Sequence, residues 1–170
     1  MIPDELLDLI RRFEGCWLTA YLCPAGVWTI GWGATGPGIQ QGTQWTQSQA
    51  DERLQRDAAI YYRAAGRLSP GLWTSTARHA AIADFCYNLG ITRYKASTLK
   101  RRVDAGDWSA AVDELQKWVW GGGRKLPGLV LRRAAEAALV QASTARPGSR
   151  AIAGASLPSV YRKTLEKRRG

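Results

Sequence analysis

The apolar residues at the start of the chain recur at helical spacing. Leu6, Leu7, Leu9, Ile10 and Phe13 share one face of residues 4 to 13, and Gly15 stands where a chain can leave a helix. The pattern predicts a helix with Glu14 at its end. From Trp17 to Gly33 the residues change to β-formers flanking Pro24-Ala25-Gly26, where Pro presets φ and Gly accepts a positive value. This stretch reads as a β-hairpin with Cys23 and Thr29 beside its turn. Gly31 to Gly42 is glycine-rich and reads as further strand and loop of a small lobe.

Thr46 then opens a helix, its hydroxyl able to cap the N–H of Ser48 or Gln49, with acids soon after to suit the helix dipole. The helix is predicted to run to about Gly66, long enough to join the small lobe to a second one. Thr74, Ser75 and Thr76 offer caps for a helix through His79, Ile82, Phe85 and Leu89, stopped by Gly90. Ser97 or Thr98 starts another, ending near Ala105-Gly106. Asp107 or Ser109 caps the next, in which Trp108, Ala111, Val112, Leu115 and Val119 form an apolar stripe. Gly121-Gly122-Gly123 breaks it; lacking the Lys-Ser/Thr of a phosphate-binding loop, these glycines are expected to form a flexible loop. A last helix takes Leu129 to about Val140. The predicted organisation is a two-lobed domain over residues 1 to 143 and a basic tail over 144 to 170.

That tail carries Arg146, Arg150, Arg162, Lys163, Lys167, Arg168 and Arg169, with Pro147-Gly148 and Pro158 as breakers. A solvated tail, a contact with an anionic envelope and a membrane-perturbing helix all remain open for it. The whole chain has a formal charge of +10 from 24 Lys and Arg against 14 Asp and Glu, which implies attraction to a polyanion without saying which. No stretch approaches the roughly 18 to 20 apolar residues of a membrane span. The N-terminus carries acids among its apolar residues and lacks the basic head and apolar run of a secretory signal, so cytoplasmic synthesis is expected.

Three cysteines, Cys16, Cys23 and Cys86, are an odd number in a chain too large to be a disulfide scaffold, which favours free thiols. With no CxxC pair and His79 the only histidine, no metal site and no cofactor are expected. Cys86, beside Phe85 on an apolar helix, reads as a core thiol, and His79 as a surface or interhelical residue. Cys16 is near enough in sequence to Cys23 to leave an inhibitory disulfide open. Trp108, Trp118 and Trp120 fit the core or groove of a helical lobe, whereas Trp17, Trp28 and Trp32 could stack on sugar faces.

Helix followed by hairpin can bring Glu14, Cys23 and Thr29 to one cleft. Glycoside hydrolysis usually needs one carboxylic acid to protonate the leaving oxygen and a second group across the sugar to handle water or act as nucleophile. Only the first carboxylate is present in this set.

The run Phe13-Glu14-Gly15, followed by Ala20-Tyr21-Leu22-Cys23-Pro24-Ala25-Gly26-Val27-Trp28-Thr29-Ile30-Gly31-Trp32-Gly33, resembles the signature of phage-type lysozymes, glycoside hydrolase family 24. There a Glu is followed at fixed intervals by Asp, less often Cys, and then Thr; Glu14, Cys23 and Thr29 stand at those intervals. The resemblance continues through Phe85-Cys86-Tyr87-Asn88-Leu89-Gly90, Ser97-Thr98-Leu99, Asp107-Trp108 with Trp118, and Gly128-Leu129 with Arg132-Arg133 and Glu136. It implies an α+β lysozyme-like fold, with a small β-hairpin lobe, a mainly helical C-terminal lobe and a glycan cleft between them.

It also implies an endolysin that hydrolyses, with inversion, the bond between N-acetylmuramic acid and N-acetylglucosamine in bacterial peptidoglycan. Glu14 would be the general acid, Cys23 would replace the Asp that orients or deprotonates water, and Thr29 would hold that water. Tyr87 and Asn88 would line the glycan groove and Arg132 would approach the acid. The partner would be peptidoglycan, not nucleic acid, met by a monomer after release from the host cytoplasm. The chain departs from the pattern at Trp32, where relatives have Tyr, and at Ala34, where many have His. The rival readings are a lytic transglycosylase, which needs mainly the acid, and a non-catalytic cationic protein that binds wall or membrane.

Overall fold

A computed structural model describes residues 1 to 23 and 25 to 143. The tail predicted over 144 to 170 lies outside the described residues. The first helix, α1 (Asp4–Glu14), buries Leu6, Leu7, Leu9 and Ile10, carries Asp4 and Glu5 in its first turn and Arg11 and Arg12 in its last, and so agrees with its dipole at both ends. It stops at Gly15, whose φ of +70° is a conformation a side chain would oppose, and this leaves Glu14 on the terminal turn.

Strands β1 (Trp17–Leu22) and β2 (Trp28–Gly31) form the expected antiparallel hairpin, pairing Tyr21 with Thr29 and Leu22 with Trp28. An irregularity between Trp17 and Tyr21 shifts the register. The glycine-rich segment that follows was expected to add a strand. Instead it loops back with only isolated bridges, Ile30 with Ala34 and Thr19 with Gln44, because its positive-φ glycines at 33, 36, 38 and 42 turn the chain too often for a ladder. Ala20, Ile30, Ala34 and Ile39, with Trp28 and Trp45 against them, give this small lobe its own core.

Helix α2 (Gln47–Leu68) begins with a full capping box: Thr46 Oγ1 accepts from the Gln49 N–H, and Gln49 Oε1 accepts from the Thr46 N–H. The acids lie beyond the first turn, so capping rather than charge starts the helix. A short 3-10 helix (Pro70–Thr74) precedes α3 (Thr76–Leu89), which is capped by Ser75. Every residue of α3 from His79 to Cys86 is buried, because α1, α2 and α7 all pack around it. Then come α4 (Ile91–Ala96), which the apolar pattern did not reveal, α5 (Thr98–Asp104) capped by Ser97, and α6 (Trp108–Leu115) capped by Asp107. The expected glycine loop is a small hairpin of β3 (Trp120–Gly121) and β4 (Arg124–Lys125), turned by Gly122 and Gly123, both at positive φ. Helix α7 (Pro127–Ala142) closes the lobe, with Pro at its start where the missing N–H costs nothing.

His79 is wholly buried. Its ring stacks on Tyr62 at 3.6 Å, and Nε2 donates to the Tyr62 carbonyl at 2.7 Å. Burial lowers its pKa more than that hydrogen bond raises it. Gly66 lets Trp73 and His79 close against α2: a Cβ there would stand 2.5 Å from the Trp73 ring and 2.8 Å from His79 Cε1. Gly66→Ala should therefore lower stability by about 1–2 kcal/mol through overpacking, in spite of alanine's better helix propensity. A rise in the midpoint of thermal or urea unfolding would show that this contact is not tight.

Candidate active site

Glu14 enters the site from the last turn of α1. Its Oε1 accepts from Arg132 Nη1 on α7 at 2.5 Å. The same guanidinium donates twice to Asp84 on α3, Nε to Oδ2 at 2.8 Å and Nη2 to Oδ1 at 2.7 Å. Asp84 and the Arg132 side chain are almost wholly buried, while the Glu14 side chain keeps a quarter of its surface in solvent. Burial works against the charge on Arg132, but the hydrogen bonds and charge of Asp84, aided by Glu14, raise its pKa above the ordinary value. This arginine is therefore a fixed cation whose one outward contact is Glu14.

A second buried pair lies behind the first. Arg133 Nη2 is 2.8 Å from Glu136 and donates to Asn88 Oδ1 at 2.9 Å, while its guanidinium carbon lies 5.0 Å from the Phe85 ring centroid. Glu136 is pushed well above the usual carboxylate range by burial; the Arg133 charge pulls it down and the Asp84 charge pushes it up.

The small lobe approaches Glu14 through Gly33, where an added Cβ would stand 3.7 Å from Glu14 Oε2. Tyr87 on α3 donates through its hydroxyl to the Trp32 carbonyl at 2.9 Å, and Trp32 Nε1 donates to Asp51 on α2 at 2.8 Å. Both lobes are thus tied together one residue from Gly33, which faces Glu14. Trp32 thus makes a polar contact through its indole as well as through its carbonyl. Burial, and then the Glu14 charge, keep the Tyr87 phenol protonated.

Cys23 and Thr29 meet at the hairpin turn. The Cys23 N–H donates to Val27 O at 3.0 Å and the Gly26 N–H to Cys23 O at 2.8 Å, which folds the turn around the thiol. The Val27 and Ala25 N–H groups and the Thr29 hydroxyl all favour the thiolate and outweigh the small opposing effect of burial, so Cys23 ionises below its ordinary value. Thr29 is buried, and its hydroxyl has one proton to give, either to Val27 O at 3.0 Å or to the sulfur. Cys16 goes the other way, raised by burial, and Cys86 is pushed up to about 12 by burial and the Glu136 and Asp84 charges. All three cysteines are free thiols. No group of three or more His, Cys, Asp or Glu among the described residues is placed to hold a metal ion.

Of the residues singled out from sequence, the structure joins Glu14 directly to Arg132 and Cys23 to Thr29, and brings Tyr87 to the lobe junction. Asn88 faces Arg133. Trp17 packs on Tyr21 with tilted rings whose centroids are 5.4 Å apart, Trp28 packs on the small-lobe core, Trp118 lies edge-on to Phe85, and Trp120 is exposed on β3. The residue that sequence reasoning missed is Asp84. Its signal was a lone acid inside the apolar run Ala80 to Cys86, which has no solvent face to receive it.

The family model described as phage lysozyme matches residues 11–136. The chain is 37% identical over 146 residues to an endolysin of Acyrthosiphon pisum secondary endosymbiont phage 1, covering 84% of this chain and 99% of that protein. It is 32% identical over 125 residues to a SAR-endolysin of Enterobacteria phage PA-2, covering 72% and 74%. Among solved structures, the active form of the P1 phage endolysin Lyz superposes with a TM-score of 0.74 at 26% identity, covering 85% of this chain and 87% of that one. The muramidase domain of SpmX from Asticaccaulis excentricus gives 0.73 at 29% identity, covering 82% and 97%.

The three thiols should separate in an alkylation series. Iodoacetamide is expected to modify Cys23 first, with a rate midpoint below the roughly 8.5 of a free thiol, because the turn lowers its pKa. Cys86 should stay unmodified until the protein unfolds. Peptide mapping after timed quenching reads this directly, and modification of Cys86 ahead of Cys23 would contradict the assignment.

Proposed function

The chain belongs to the phage lysozyme family, as a peptidoglycan-degrading endolysin and a glycoside hydrolase, and from that premise we propose that Glu14, Cys23 and Thr29 together hydrolyse the β-1,4 bond between N-acetylmuramic acid and N-acetylglucosamine. The observation that carries the reading is the placement of Glu14. It is a partly exposed carboxyl where the lobes meet, held through one oxygen by a buried arginine and with the other facing Gly33 of the small lobe. A general acid needs this arrangement, since its proton must reach the leaving oxygen while its carbon frame stays still.

Cys23 takes the part of the water-activating group. Its sulfur sits among backbone N–H donors that favour the thiolate, and Thr29 offers a hydroxyl beside it that can hold a water. The thiolate accepts a hydrogen bond from water and draws off its proton as the oxygen attacks the anomeric carbon; Glu14 protonates the departing sugar oxygen. Attack from the face opposite the leaving group inverts the anomeric centre. Tyr87 and Arg132 serve the groove by fixing its walls: Tyr87 through Trp32, Arg132 through Glu14. A monomer acting on the wall after release from the host cytoplasm completes the proposal.

Glu14→Gln should lower turnover on purified peptidoglycan by about 100- to 10,000-fold with the fold retained by circular dichroism. Wild-type protein should release reducing ends. Anhydro-muramic ends would favour transglycosylation instead, and undiminished lysis by Glu14→Gln would remove catalysis as the working principle. Cys23→Asp should keep substantial activity and lose sensitivity to alkylation. A folded but inactive Asp variant would overturn the equivalence of thiol and carboxylate at this position.

A further inference from the structure

Arg132 divides its guanidinium unequally between two carboxylates. Asp84 takes two of its N–H groups from the protein interior, and Glu14 takes one at the cleft. A cation facing a carboxylate favours the ionised form, which is the wrong form for an acid about to give up its proton. If Arg132 had Glu14 as its sole partner, the contact that steers the acid would also disarm it. Asp84 removes the conflict, because it is wholly buried, fixed on the central helix, and closer in geometry to a full ion pair than Glu14 is.

We propose that Asp84 is a positioning residue for the cleavage reaction: it anchors Arg132 and takes up its charge, so that Arg132 orients Glu14 without holding it as a carboxylate. The proposal rests on the reading of Glu14 as general acid.

The surroundings of the pair fit this role on every side. From α7, Glu136 is wholly buried and lies 2.8 Å from Arg133, so it has a cation of its own and leaves Arg132 to Asp84 and Glu14. On α3, the Tyr87 phenol faces Glu14 and Arg132 and stays neutral, and beyond it Asp57 and Tyr61 of α2 act on Tyr87. From α1, the Phe13 ring lies 5.7 Å from the guanidinium and covers it with an apolar face. Asp84 is thus the buried anion placed to balance Arg132 when Glu14 carries its proton.

The readout is the Glu14 carboxyl itself, followed by carbon-13 NMR in glutamate-labelled protein and assigned by its absence in Glu14→Gln. In Asp84→Asn, which keeps the shape and one acceptor, its titration midpoint should move about one unit to lower pH, and kcat should fall with KM little changed. A buried arginine left partly unpaired could unfold that variant, so Asp84→Asn/Arg132→Met, which removes both charges together, runs beside it. There the midpoint should lie at or above the wild-type value while kcat stays depressed. A folded Asp84→Asn with an unmoved midpoint, or a double variant titrating clearly below wild type, would overturn the role of Asp84. Full activity of Glu14→Gln would instead overturn the reading of the acid, so the two failures are told apart.

Discussion

The burial of one arginine among three helices is the constraint on which the site depends. Arg132 reaches from α7 to Asp84 on α3 and to Glu14 at the end of α1. Removing one partner from such a buried pair typically costs about 3–5 kcal/mol, because the remaining charge has no water to replace it. The three helices are therefore held in one relative placement by a contact that tolerates little adjustment. Because Glu14 is the last residue of α1, just before Gly15, the same contact that packs the helical lobe also aims the acid.

Hydrogen bonds tie the small lobe to this frame just after β2. Tyr87 donates to the Trp32 carbonyl, Trp32 to Asp51, and Arg53 of α2 to the Thr35 carbonyl at 3.0 Å. Each joins a side chain of one lobe to the chain just after β2, so the hairpin with Cys23 and Thr29 is positioned from its C-terminal end. The hairpin's own core is small, four buried residues and two tryptophans. Its alignment with Glu14 thus depends on the helical lobe, through these hydrogen bonds and through Trp32 packed on the main core.

The two halves of the site are built by different means. Around Cys23 the work is done by backbone N–H groups of a tight turn, which favour an anion without bringing in a cation. Around Glu14 it is done by a buried network of side-chain charges. A turn can be specified by a few adjacent residues, whereas the network requires residues from positions 14, 84, 132, 133 and 136 to converge.

Local physics explains what was legible in the sequence. The periodicity of Leu6 to Ile10, the caps at Thr46, Ser75, Ser97 and Asp107, and the turn residues around Gly26 act over a few residues, so they announce α1, α2, α3, α5 and the hairpin with bounds close to those observed, and the start of α6, which ends at Leu115 rather than carrying its stripe to Val119. The spacing of Glu14, Cys23 and Thr29 was equally plain, being contained in one helix end and one hairpin. The short α4 and the β3–β4 hairpin were not legible, since six residues or fewer carry too little periodicity to stand out. Nor could the glycine-rich loop be told from a strand. Only the tertiary structure decided that Asp84, an acid in an apolar run, meets Arg132, or that Tyr87 binds a carbonyl of the other lobe. Such contacts span tens of residues of chain and are selected by burial, which forces each enclosed charge to find a partner that no local pattern names.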